Sequence, residues 1–180
     1  MLMNSTQRYG AINIALHWLM LVLLAAVYAC IYWREEFPRG SDIREALKMW
    51  HFMLGLSVLL LAIARLLWRV VNTQPAITPA VPRWQHWLAI AMHWLLYGGM
   101  IVTPLAGWLL LSAADKPVPF WGFELPHLIA PDKALSKTIK NTHQLAGTVL
   151  YWLIGLHALA ALVHHYIVKD NTLTRMLGKG

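Results

Sequence analysis

Nine of the 180 residues are histidines, and four of them, His17, His51, His143 and His157, lie inside long apolar runs, with His93 as a fifth. An ionisable group at membrane depth costs several kcal/mol unless it has a partner, so each is a functional candidate. A lone buried histidine is satisfied by one interhelical hydrogen bond; several at matched depths ask for more. At 1.5 Å rise per residue, His143 and His157 stand about 21 Å apart along one helix, and fourteen steps of about 100° return the second to within roughly 40° of the first. Helices that alternate in direction put His51, early in its run, level with His143, and His17 level with His157. The result is two pairs, one towards each membrane face. No cysteine, aspartate or glutamate lies at those depths. Facing imidazoles without other donors fit bis-histidine ligation of haem iron, and two b-type haems are expected. A zinc site would recruit a third or fourth protein ligand.

Other residues fall around this pattern. Gly55, Gly147 and Ala161 each follow a paired histidine by one turn, leaving the room a flat porphyrin needs, although small residues also serve ordinary helix contacts. Arg65 is fourteen residues after His51, so it shares that face at the depth of the other pair, where it could neutralise a haem propionate. A snorkelling interfacial role fits Arg69 better. His93 could meet a propionate, a quinone or a neighbouring helix. His164, seven residues after His157, lies on the same face about 10 Å nearer the surface, suited to a quinone carbonyl or a propionate. His165 points elsewhere, and His86 and His127 read as surface residues.

These residues need elements to carry them, and the composition says which. The chain is 58% hydrophobic and 13% charged, with ten tryptophans, one cysteine and a formal charge of +7; its mean hydropathy is +0.51. Soluble domains are about a quarter charged, and one cysteine cannot make an internal disulfide. The charges sit in short clusters between apolar runs, which argues against nucleic-acid binding. A bilayer core needs roughly 20 apolar residues per helix, and four stretches qualify: 11–33, 47–71, 84–112 and 141–168. The expectation is an all-α integral membrane protein, a bundle of four transmembrane helices in one domain over 1–180, with both termini on one side. The first run is too long for a cleavable signal peptide and has no small-residue cleavage site. Trp33, Trp50, Trp68, Trp84, Trp87 and Trp121 fall near the predicted interfaces, as an aromatic belt requires. Pro75, Pro79 and Pro82 make the 72–83 link short and stiff, and the proline-bearing 113–140 link reads as a structured cap. Arg8, Arg65, Arg69, Arg83, Lys169, Arg175 and Lys179 stand on the side of the termini, against eight Lys and Arg on the other. The positive-inside count is therefore nearly tied, although seven of the eight acids lie on the second side.

Several segments together resemble the bacterial cytochrome b561 family, most closely its superoxide:ubiquinone oxidoreductase branch. They are Ala15-Leu16-His17-Trp18, Phe37-Pro38-Arg39-Gly40, His51, Ala64-Arg65-Leu66-Leu67, His93 to Tyr97 and Thr103-Pro104-Leu105-Ala106-Gly107. The most specific part is the closing stretch, Gly155-Leu156-His157-Ala158 through His164-His165-Tyr166 to Lys169-Asp170-Asn171-Thr172-Leu173 and Arg175-Met176. The resemblance covers almost the whole chain. It implies haem ligation by His17 with His157 and by His51 with His143, the pairing that depth gives independently. It also implies cytoplasmic termini in a bacterial inner membrane. Gln144, after His143, stands where many relatives have Glu, which removes a charge beside the outer pair.

The resemblance further implies electron transfer from periplasmic superoxide to ubiquinone. Superoxide is a small anion, so a basic funnel would raise its encounter rate. Lys133, Lys137 and Lys140 lead into His143 and share one face if that stretch is helical; a plain solvated helix start explains them equally. The alternative is an anchor subunit that passes electrons between a periplasmic redox partner and the quinone pool. A metal-ion carrier would need a wet path, and the spans hold few polar residues besides the histidines.

Overall fold

The structure is a computed structural model and describes residues 1–178. Its main elements are α1 (Ala11–Trp33), α2 (Asp42–Val71), α3 (Arg83–Ala113) and α4 (Lys133–Val163). A short antiparallel hairpin, β1 (Val118–Phe120) and β2 (Phe123–Leu125), lies between α3 and α4, with Val118 opposite Leu125. A π-helical turn at His164–Val168 and a five-residue helix α5 (Thr172–Met176) close the chain. Four helices are long and apolar enough to cross a membrane.

The start of α1 and both ends of α3 follow the apolar runs to within a residue, but α2 and α4 begin earlier than their runs, at Asp42 and Lys133. The cause is capping. Ser41 Oγ accepts from the Arg44 amide, and Asp132 Oδ1 accepts from the amides of Ala134 and Leu135 at 2.8 and 3.0 Å. Each cap satisfies amides that a helix start leaves without partners, so both helices project beyond the apolar stretch. Apolarity locates a membrane span; caps locate the helix.

A shared core of Met20, Leu24, Val58, Tyr97, Met100 and Leu150 draws on all four long helices. Backbone packing is uneven, however. α1 packs on α2, α2 on α3 and α3 on α4, whereas among the described residues α4 does not approach α1 or α2 closely along its backbone. Those are the helix pairs whose histidines face one another. The outer face of α4 exposes Leu145, Trp152, Leu156 and Leu159, a surface suited to lipid because the helix satisfies its own backbone.

The two ends differ. At the terminal end, the Trp18 indole donates to the Met176 carbonyl (2.8 Å), Asn4 to Thr73 (2.8 Å), and Arg175 Nη1 to the carbonyls of Pro75 and Ala76 (2.6 and 3.1 Å). The N-terminus, the 72–82 loop and the C-terminal segment are thus tied together on one side; Lys179 lies outside the described residues. The opposite, capped end carries the hairpin. Val118 is buried against Leu56 and Leu111, and Trp121 donates to Ser57 Oγ at 3.0 Å. The 113–140 link is therefore an ordered cap.

Candidate functional site

At the capped end, His51 of α2 faces His143 of α4, their ring centres 6.2 Å apart. At the terminal end, His17 of α1 faces His157 of α4, also at 6.2 Å. Two imidazoles sharing one metal through nitrogens about 2 Å away have ring centres roughly 6 Å apart. Both pairs meet that spacing.

All four long helices set up the capped pair. His51 Nδ1 donates to the Val27 carbonyl of α1 (3.0 Å), and His143 Nδ1 to the Thr103 carbonyl of α3 (2.9 Å). A carbonyl only accepts, so both Nδ1 atoms carry the proton and both Nε2 atoms keep a free lone pair. Such a second bond commonly fixes the tautomer and orientation of a metal-ligating histidine. The sequence of α3 shapes the seat. Pro104 lies inside α3 and lacks the amide that would bond the Met100 carbonyl, and Gly107 gives His143 room: a Cβ there would sit 3.2 Å from His143 Cε1. A cleft lined by His51, Gly55, Pro104, Gly107, Trp108 and His143 opens between the helices, with Val118 at its edge. No atom lies within 4 Å of where a Cβ would project at Gly55 or Gly147, so both leave open space. The donor set and the tautomers suit a haem iron held between the two imidazoles.

Side chains crowd the terminal pair instead. Arg65 Nη2 donates to His17 Nδ1 at 2.8 Å, and its guanidinium lies 5.9 Å from the Tyr97 ring centre. His93 stands 5.6 Å from His157, its Nδ1 bonded to the Ala89 carbonyl at 2.6 Å. Arg65 thus reaches a histidine of the terminal pair itself. The consequence is chemical: a guanidinium only donates, so His17 Nδ1 accepts and the neutral ring carries its proton on Nε2. Coordination through Nε2 requires Arg65 to leave His17 for another acceptor.

His164 lies beyond His157 on the same face of α4, and its Nδ1 pairs with Asp170 Oδ2. The side chain of Asp170 is fully enclosed. Burial pushes its carboxyl pKa up, but hydrogen bonds from His164 and Thr172 and attraction to His164 outweigh this and hold it below the usual range. His165 packs edge-on against Tyr166, His86 is exposed, and His127 bonds the Lys116 carbonyl at 3.0 Å. The stretch carrying Lys133, Lys137 and Lys140 is helical, and all three are exposed. Among the described residues none of them meets a carboxylate, whereas Arg34 and Arg44 pair with Glu35, and Lys48 with Glu45.

Some members of the site were not foreseen. Val27 and Thr103 act through main-chain carbonyls, which no side-chain pattern reveals. Tyr28, next to Val27, donates its hydroxyl to the Gly147 carbonyl at 2.7 Å and so ties α1 to the turn after His143. Asp170 did have a signal, as the sole acid on the side of the termini.

A mostly helical membrane bundle with facing imidazoles at both ends is the architecture of a membrane electron-transfer protein, and known proteins agree. The family pattern described as prokaryotic cytochrome b561 matches residues 8–179, and the chain belongs to that family. Membership brings with it a b-type haem and an oxidoreductase role in a bacterial membrane. The chain is 37% identical over 170 residues to cytochrome b561 homolog 1 of Escherichia coli (strain K12), covering 94% of this chain and 97% of that protein. It is 35% identical over 173 residues to a protein of Yersinia pestis named probable superoxide oxidase CybB, covering 96% and 97% respectively. Cytochrome b561 homolog 2 of E. coli K12 is 29% identical over 184 residues, covering 98% of this chain and 94% of that one.

Proposed function

We propose that the chain oxidises superoxide at its capped, periplasmic face and reduces ubiquinone at its terminal, cytoplasmic face of the inner membrane, through two bis-histidine haems b. His51 with His143 would hold one haem, and His17 with His157 the other. The observation that supports the reading is the repeated 6.2 Å ring spacing at both ends of α4, by which one helix would supply a ligand to each site. When bound, the haems supply reversible one-electron chemistry at their irons.

The chain's own residues do the rest. Lys137 and Lys140, with Lys133, leave uncompensated positive charge on the first turns of α4, on the way to His143, and steer the anion there. Glu35 offsets one of the two charges of Arg34 and Arg44, and Glu45 offsets Lys48. The Val27 and Thr103 carbonyls hold the capped imidazoles in one tautomer. Arg65, released from His17, is the buried cation for a propionate at the terminal end, and His93 bounds that site beside His157. His164 is placed to meet a quinone carbonyl. Two superoxide ions give up two electrons and leave as oxygen; ubiquinone takes up two electrons and two protons.

The purified chain in lipid, given superoxide and a short-chain ubiquinone, tests this. Quinol formation by the chain alone, with oxygen released, is expected. A chain that binds haem but transfers electrons only when a periplasmic redox protein is added would be an anchor subunit instead.

A further inference from the structure

We propose that His164 and Asp170 form a proton-donating dyad that protonates the reduced quinone at the terminal end, with Asp170 as the positioning residue; this rests on the quinone reading above. The chain spends unusual local structure on the contact. After His164 the helix widens into a π turn, Lys169 takes a left-handed conformation (φ 60°), and the Asp170 amide returns to the His164 carbonyl at 3.2 Å. Together they fold Asp170 back beneath the histidine that precedes it. Asp170 Oδ1 accepts from the Thr172 amide at 2.8 Å, while Oδ2 takes His164 Nδ1. The carboxylate is therefore fixed from both sides and fully enclosed, and the histidine side chain keeps 22% exposure. The only acid on this side of the chain is committed to one imidazole.

The neighbouring groups leave that pairing undisturbed. Arg175 of α5 is engaged with the carbonyls of Pro75 and Ala76 and lies over the Tyr9 ring, Arg69 of α2 bonds Gln74, and His165 turns onto Tyr166. Lys169 is exposed. None of them has an ion-pair contact with Asp170 among the described residues.

The chemistry follows from the tautomer. With Nδ1–H held on Asp170, the imidazolium form presents Nε2–H. That N–H bond breaks, its electron pair stays on the ring, and the proton forms an O–H bond on the quinone oxygen that has received an electron. Asp170 remains a carboxylate throughout and stabilises the charged ring, as an orienting acid does for a general acid–base histidine. Water at the terminal face returns the proton to Nε2, and the second proton takes the same route. His164 stands seven residues, about 10 Å, beyond His157 on the same helix face, so the donor lies next to the terminal pair without belonging to it.

The test uses the full haem-loaded chain in lipid, reduced by superoxide and then re-oxidised. Two oxidants are compared: a short-chain ubiquinone, and ferricyanide, which takes an electron and no proton. Asp170→Asn and His164→Gln should each slow re-oxidation by ubiquinone about tenfold or more. They should also alter its dependence on pH, because protons are delivered in that step alone, and leave ferricyanide re-oxidation at the wild-type rate. The double variant should be no slower than the worse single one. His164→Gln leaves the Thr172 contact of Asp170 in place, so it remains informative if Asp170→Asn destabilises the C-terminal segment. Unchanged ubiquinone rates and pH profile in His164→Gln would overturn the dyad, as would equal slowing with both oxidants. A wild-type chain that reduces ferricyanide and not ubiquinone would overturn the quinone reading itself, and the dyad with it.

Discussion

The two histidine pairs share one spacing and differ in almost everything around them. At the capped end both rings are fixed by main-chain carbonyls, under a hairpin, with Gly107 against His143. At the terminal end the neighbours are polar side chains: Arg65, His93, and the His164–Asp170 contact further along the chain. The contrast matches the chemistry proposed for each end. Removing an electron from superoxide moves no proton, so rigid rings in one tautomer suffice. Reducing a quinone takes protons, so groups that exchange them are needed nearby.

The sharpest break in the comparison should come from Gly107→Val. A Cβ at 107 already falls 3.2 Å from His143 Cε1, and the branched methyls would drive the ring off its seat. Haem-to-protein stoichiometry should fall from two to one, with the terminal site intact. Charge reversal by Lys137→Glu with Lys140→Glu probes the capped end without touching its rings. The superoxide rate at low salt should fall about tenfold and lose most of its salt dependence, which stopped-flow mixing measures. An unchanged rate and salt dependence would remove these lysines from the account. Arg65→Gln probes the terminal end. Losing a buried positive charge favours the oxidised haem, so one of the two midpoint potentials should fall by about 60 mV, tenfold in that equilibrium, while the capped one holds. A redox titration reads both.

Smaller effects refine the picture. Tyr28→Phe deletes the tie from α1 to Gly147 and should cost about 1 kcal/mol in thermal or denaturant stability. It should shift the low-spin spectrum of the capped haem alone. Acid should act at the other end. The Asp170 carboxyl pKa is lowered on folding, so its contribution is complete above the ordinary aspartate value of about 4. It is lost only as pH falls through the lower folded value. Protease resistance of the C-terminal segment should therefore stay flat through neutral pH and fall only in strong acid.

The histidine pairing was legible because helical rise and rotation act on residue numbers directly: fourteen residues separate His143 from His157, and alternating helix directions supply the opposite partners. The four apolar runs were legible for the same reason. Helix starts were less so, since Ser41 and Asp132 extend α2 and α4 through short-range caps that hydropathy does not register. Arg65 falls at the depth of the terminal pair, as its spacing from His51 requires, but its contact with His17 was not legible, because spacing gives the face of a helix and not the acceptor a long side chain reaches. The fold-back of Asp170 onto His164 depends on a π turn and one left-handed residue, neither of which has a periodic signature. The carbonyls of Val27 and Thr103 carry no residue-type signal at all.

The central claim is that α4 supplies one ligand to each of two haems. It is tested most directly by haem quantification and electron paramagnetic resonance on the wild type, His143→Leu and His157→Leu. The account predicts two low-spin signals in the wild type, and one haem with one different signal lost in each variant. One haem in the wild type, or loss of the same signal from both variants, would contradict it.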